Sequence, residues 1–261
     1  MLEGIISGII QGIFEWFPVS SQGVIAIVSE IFMNSEFESA IALGIWLHSG
    51  TSLAALIVFR RDLLSMLSHL KNTESNNIGR NYVYTTFFSA LIGVPILLFI
   101  EEINIQSGSA MMIFIGLAML ITATFLKYSK LEKNEKSLKD IRIKDSILIG
   151  VMQGLSAVPG LSRSGVTIAV LLGRGFGRTD SLKFSFMLSI PVSLGAAVIA
   201  GIRYELPQST IGIVGAFTAF LVGLISIKSL LAFSSRVNFF WFMMVAGVMI
   251  ITGGVLQIIL S

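Results

Sequence analysis

The chain has 261 residues, of which 54% are hydrophobic and only 13% charged, and its mean hydropathy is +0.86. A soluble domain carries roughly a quarter charged residues, so this composition leaves too little polar surface for water and indicates a polytopic membrane protein. Its 18 basic and 15 acidic residues give a net charge of only +3, which argues against a nucleic-acid partner; the absence of cysteine excludes disulfides, a thiol nucleophile and a thiolate metal site. Two histidines are too few for a multi-histidine zinc site.

In chain order, the first apolar stretch is 2–33, and Pro18-Val19-Ser20-Ser21 breaks it midway. It lacks the charged start and cleavage site of a signal peptide. Three unbroken stretches follow at 38–59, 82–100 and 110–127, each about as long as the 20 or so residues a spanning helix needs. A polar connector at 127–145 carries lysine at every third position through Lys139 and is expected to be solvated. The next apolar stretch, 146–172, is broken by Pro159-Gly160-Leu161-Ser162-Arg163-Ser164-Gly165, and spans are expected at 182–202, 209–227 and 239–260. Proline removes a helical donor, and neighbouring serines and glycines suit a tight turn. The half-segments are too short to cross, and irregular backbone survives at membrane depth only when lined by protein or a watery cavity. Both broken stretches are therefore expected to be re-entrant hairpins. The fold expected is an all-α integral membrane protein with six transmembrane helices and two re-entrant helical hairpins.

Charge supports that topology. With both hairpins re-entrant, sixteen basic residues fall on one side and Arg203 alone on the other; making 146–172 a full span gives twelve against five. The positive-inside rule favours the first arrangement, with the 127–145 linker cytoplasmic and both chain ends outside the cell membrane.

The halves resemble each other. A shift of 142 residues aligns Gln11-Gly12 with Gln153-Gly154, Ser20 with Ser162, and Gly23-Val24 with Gly165-Val166; Pro18 and Pro159 align after a one-residue slip. Each half, 1–127 and 146–261 within a single membrane domain, is then one hairpin plus three crossings. An odd number of crossings inverts the second copy, and inverted repeats place a site near the midplane where broken helices meet.

Intramembrane ionisable residues are functional suspects because burying charge in lipid is expensive. Glu15 and Arg163 lie within apolar stretches, each beside one break. Around them are Gln11, Ser20 and Ser21 at the first break and Ser162, Ser164 and Thr167 at the second. Gln11 and Glu15 are four apart and share a helix face. Serines and glycines at a helix start present hydroxyl and N–H donors that suit an anion, and arginine adds a planar fork matching phosphate oxygens. A lone carboxylate could hold a divalent ion or act as general base. The combination points to a phosphate site. Trp16 and Trp241 are expected to be packing or interface aromatics. Glu36, Glu38, Glu101 and Glu102 are expected to be solvated.

Gln11-Gly-Ile-Phe-Glu15-Trp-Phe-Pro-Val-Ser-Ser21 and Pro159-Gly-Leu-Ser-Arg-Ser-Gly-Val-Thr167 resemble the two signature motifs of the undecaprenyl-diphosphate phosphatase family, also called the bacitracin-resistance family. Leu47-His48-Ser-Gly-Thr51, followed by Phe59-Arg60-Arg61-Asp62, looks like a third family segment. The resemblance covers the whole chain. It implies removal of the terminal phosphate from a polyprenyl diphosphate lipid in the membrane, using a divalent cation such as Mg2+, with a homodimer left open. By motif position it makes Glu15, Ser21 and Arg163 catalytic, with Glu15 also the metal ligand. Gln11, Ser20, Ser162, Ser164, Thr167 and His48 become substrate-binding.

Two positions depart from the family pattern. Gln11 stands where the family has Glu or Gln, and Val24 stands where family members commonly have histidine. Valine carries no proton, so either Glu15 and a metal-bound water manage without it, or His48 enters from the next helix, or the chemistry is lost. The nucleophile is either Ser21 or water with Glu15 as base. The competing reading is a transporter or flippase for a phospholipid-linked carrier, which shares inverted-repeat architecture.

Overall fold

A long apolar segment in lipid must satisfy every backbone N–H and C=O internally, and the α-helix does so within one segment. The computed structural model describes residues 1–33, 35, 37–68, 70, 77–100, 108–128, 136–158, 160–206, 209–233 and 239–260; among these the regular structure is helical, with no strand. The helices are α1 (Leu2–Phe14), α2 (Ser21–Met33), α3 (Phe37–Ser68), α4 (Ile78–Ile100), α5 (Gly108–Tyr128), α6 (Ile143–Leu155), α7 (Arg163–Gly173), α8 (Arg178–Arg203), α9 (Thr210–Phe233) and α10 (Phe239–Leu260). Pro159, Glu36, Glu101, Glu102 and linker residues 129–135 lie outside the described residues.

Both expected breaks are present. α1 and α2 have 13 residues each and are separated by residues 15–20; α6 and α7 have 13 and 11 and are separated at 156–162. At 1.5 Å per residue a 13-residue helix is about 20 Å long, short of a bilayer core of roughly 30 Å. Four helices are long and apolar enough to cross a membrane: Ser39–Ser68, Ile78–Phe99, Arg178–Arg203 and Thr210–Ala232. The apolar stretches Met112–Phe125 of α5 and Met243–Leu256 of α10 are shorter among the described residues. The chain is thus an all-helical, multi-pass membrane protein.

α3 differs from its expected span. It continues from the apolar stretch through Arg60-Arg61-Asp62 to Ser68, 32 residues in all, because leucine, methionine and arginine there are good helix formers whatever their polarity. Its charged end is tied to α8 by Lys183 Nζ, 2.6 Å from Asp62 Oδ1.

Close helix contacts organise the bundle. α1 lies on α9, α6 on α4, α5 on α10, and α3 on both α8 and α9. Lipid gives no hydrophobic drive between helices, so association depends on backbones approaching over small residues. A Cβ added at Gly8 would meet the Gly215 carbonyl at 2.5 Å, and one at Gly150 would meet the Thr85 carbonyl at 2.6 Å. Gly8 and Gly150 are themselves 142 residues apart, and they seat α1 on α9 and α6 on α4. α5 backs both breaks: Gly160, at φ +94°, would place a Cβ 2.6 Å from Ile115 Cα, and only glycine combines that φ with that approach.

The described end of the connector is docked. Asp145 Oδ1 stands 2.7 Å from Arg174 Nε, Asn81 Nδ2 donates to the Ile141 carbonyl at 3.1 Å, and Ser146 donates to Asn81 Oδ1 at 2.7 Å. Trp16 is buried edge-on against Phe186, with 5.2 Å between ring centroids, as a packing aromatic; Trp241 is 62% exposed.

Candidate active site

The two breaks are capped alike. Ser20 Oγ accepts from the Gly23 N–H at 3.3 Å at the start of α2, and Ser162 Oγ accepts from the Gly165 N–H at 3.2 Å at the start of α7. A serine N-cap satisfies one of the orphan donors of a helix start and leaves the others pointing into the space ahead of it. The breaks also touch: Ser164 donates to the Phe17 carbonyl at 2.8 Å, and a Cβ on Gly165 would lie 3.1 Å from Pro18 Cβ. Two helix N-termini therefore converge on one place.

Glu15 stands at that place. It caps the C-terminus of α1 in αR geometry, its N–H bonded to the Gln11 carbonyl, and its side chain is almost fully buried. Oε1 pairs with Arg163 Nη2. Oε2 receives Gln11 Nε2 at 2.9 Å and Ser21 Oγ at 3.2 Å, and His48 Nε2 lies 3.1 Å away. Arg163 Nη1 reaches the Ser185 carbonyl of α8 at 3.4 Å, so the guanidinium is fixed at both ends.

A small cavity opens over this pair. Its walls are Glu15, Val19, Ser20, Ser21, Gln22 and His48 on one side and Ser156, Leu161, Ser162, Arg163 and Ser164 on the other. Of the residues singled out in the sequence, seven line it. Gln11 and Thr167 do not: both are fully buried, Gln11 behind Glu15 and Thr167 bonding the Arg163 and Ser164 carbonyls and Ser185 Oγ. Val24 does not line it either and packs against the apolar cluster that contains Val19 and Met119.

Gln22 and Ser156 in the wall and Ser185 behind Arg163 complete the site without a sequence signal of their own. Nothing distinguishes them in one dimension beyond adjacency to a break or, for Ser185, one place in the four-residue series Ser181, Ser185, Ser189 and Ser193. His48 is brought fully into the site.

Glu15 is the carboxylate in the cavity wall that could hold a small hard cation. Among the described residues no group of three histidines or carboxylates exists. Glu15 supplies one carboxylate, and Gln11 Oε1 is buried without a partner. Magnesium is commonly held by one or two carboxylates together with substrate phosphates, a role open here to Glu15.

Relatives share nearly the whole length of the chain. A protein of Methanococcoides burtonii is 34% identical over 256 residues, covering 95% of this chain and 96% of its own. One from Methanothrix thermoacetophila is 35% identical over 249 residues, covering 94% of each chain, and one from Sulfurisphaera tokodaii is 32% identical over 250 residues, covering 92% of each. All three are named undecaprenyl-diphosphatase. The profile of the family described as Bacitracin resistance protein BacA matches residues 4–254, and the chain belongs to that family.

Proposed function

We propose that the protein hydrolyses undecaprenyl diphosphate, or a polyprenyl diphosphate of that type, to the monophosphate and inorganic phosphate, recycling a lipid carrier. Family membership and the names of its relatives support the reaction. The observation that carries it is the Glu15–Arg163 pair, buried at the floor of a serine-lined cavity between two helix N-termini. Backbone N–H groups and a guanidinium aimed at one point are what a diphosphate requires, and phosphoryl transfer depends mainly on positioning and charge neutralisation.

The geometry supports a division of labour. Arg163 and the N–H groups at the start of α7 bind the terminal phosphate and stabilise charge on its equatorial oxygens. Ser21 already donates to Glu15 Oε2, the arrangement of a hydroxyl nucleophile with its base. Ser21 Oγ attacks the terminal phosphorus as its proton passes to Glu15. The bridging P–O bond breaks, its electron pair stays on the lipid monophosphate, and water then releases phosphate from Ser21. The same carboxylate could instead serve a water that attacks directly; trapping a phosphoserine distinguishes the two. Glu15, the carboxylate in the cavity wall, would hold magnesium, which when bound neutralises negative charge on the diphosphate oxygens.

The architecture we infer is six spans plus two re-entrant hairpins in an inverted repeat, with repeats 1–127 and 146–261 joined by a cytoplasmic linker at 128–145 and both termini outside. Support comes from the matched serine caps, from the glycine pair at 8 and 150, and from α5–α10 and α3–α8 packing, in which equivalent helices of the halves meet. Phosphate release by purified protein, with magnesium or EDTA, tests the activity.

A further inference from the structure

Glu15 has one polar neighbour that neither break supplies. His48 belongs to the middle of α3, a 32-residue uninterrupted helix, and is buried there. A histidine inside a spanning helix is costly unless it does something there. Its ring sits between two oxygens: Nδ1 is 2.8 Å from the Gly44 carbonyl one turn earlier, and Nε2 is 3.1 Å from Glu15 Oε2. Both neighbours are acceptors, and the ring donates to Glu15 Oε2 from whichever tautomer carries hydrogen on Nε2.

The other groups on this carboxylate come from the broken segments. Gln11 and Ser21 flank the first turn and Arg163 opens the second hairpin, so all three shift if the turns shift. Arg163 refers Glu15 to α8 only at second hand, through the Ser185 carbonyl, whereas His48 is a direct contact from a residue within the continuous helix α3. We propose that His48 is a positioning residue for Glu15: its Nε2–H donates to Oε2 and holds the carboxylate so that Oε1 faces Arg163 while Oε2 faces Ser21. The effect on turnover rests on the phosphatase reading; the contact itself does not. Losing an outer partner of a functional carboxylate typically costs about 10–100-fold in activity, because the group drifts from its productive geometry.

The chain's only two histidines are His48 and His69. In His69→Gln protein, every imidazole signal in a proton–nitrogen spectrum therefore belongs to His48. The expected result is an Nε2–H resonance protected from solvent exchange that moves upfield in Glu15→Gln. A rapidly exchanging N–H that ignores Glu15→Gln overturns the proposal, whether or not the protein turns over. In kinetics, His48→Gln keeps a donor near the Nε2 position and is expected to stay within about threefold of the parent kcat. His48→Leu is expected to lose about 10–100-fold in kcat with little change in KM. Equal losses in the two variants, or a loss confined to KM, overturn it. A protected, Glu15-sensitive N–H in a protein without turnover supports the contact while contradicting the phosphatase reading.

Discussion

Glu15 and Arg163 lie 148 positions apart, on the two breaks of the chain, and form one buried ion pair at the floor of the same cavity. Neither charge is tolerable alone when so buried. The pair therefore fastens the two breaks together and also presents a guanidinium, with both of its ends fixed, to whatever occupies the cavity.

That double duty has a measurable signature. Removing one partner of a buried pair typically costs about 3–5 kcal/mol, since it strands the other charge. Glu15→Gln and Arg163→Ala should each lower the melting temperature and abolish phosphate release, whereas a double variant with both charges removed should regain stability but not activity. Arg163→Lys should recover little activity, because an ammonium cannot reproduce the forked contact with Glu15 and the Ser185 carbonyl. Melting curves and phosphate release on the same preparations check all four.

Gln11 offers a test of the metal. Its Oε1 is buried without a partner, while its Nε2 donates to Glu15. Gln11→Glu adds a second carboxylate and should reduce the magnesium concentration needed for half-maximal activity; Gln11→Leu should raise it. Magnesium titrations of the three proteins read this directly.

The topology is open to chemical labelling, because the chain has no native cysteine. Lys139→Cys and Thr210→Cys both place a thiol at an exposed position. In intact cells a membrane-impermeant maleimide should modify Thr210→Cys and leave Lys139→Cys unmodified until the membrane is opened.

Helix contact at glycine predicts a contrast in stability. Valine at Gly8 or Gly150 drives a Cβ into a backbone carbonyl of the facing helix, and overpacking of this kind costs about 1–3 kcal/mol. A Cβ at Gly173 meets nothing within 4 Å, so Gly173→Ala should be neutral or gain about 0.5–1 kcal/mol from helix propensity. Melting temperatures of the three variants in one detergent rank them.

Much of this site is legible in the sequence because lipid makes polarity conspicuous. Proline with serine and glycine in an apolar run marks a break, and a lone Glu15 or Arg163 in such a run demands a partner. Ser20 and Ser162 announce themselves as caps through the glycine three residues on. His48 is harder to read: in an otherwise apolar helix it carries no sign of which face it occupies, and only the approach of α3 to the first turn turns it towards Glu15 rather than into packing. Ser185 escapes for the same reason, since its role as a carbonyl for Arg163 involves no side chain at all. α3 ends nine residues beyond its apolar stretch because helix propensity, not hydropathy, sets where it stops. The site is assembled across 148 residues, and distances on that scale are properties of packing.

Hydrolysis at the Glu15–Arg163 cavity is read out by phosphate release from undecaprenyl diphosphate by purified protein, with magnesium and with EDTA, alongside Glu15→Gln and Arg163→Ala. The expected result is magnesium-dependent turnover that EDTA and either substitution abolish. A folded protein that binds the lipid diphosphate yet releases no phosphate would contradict it and point instead to movement of the carrier across the membrane.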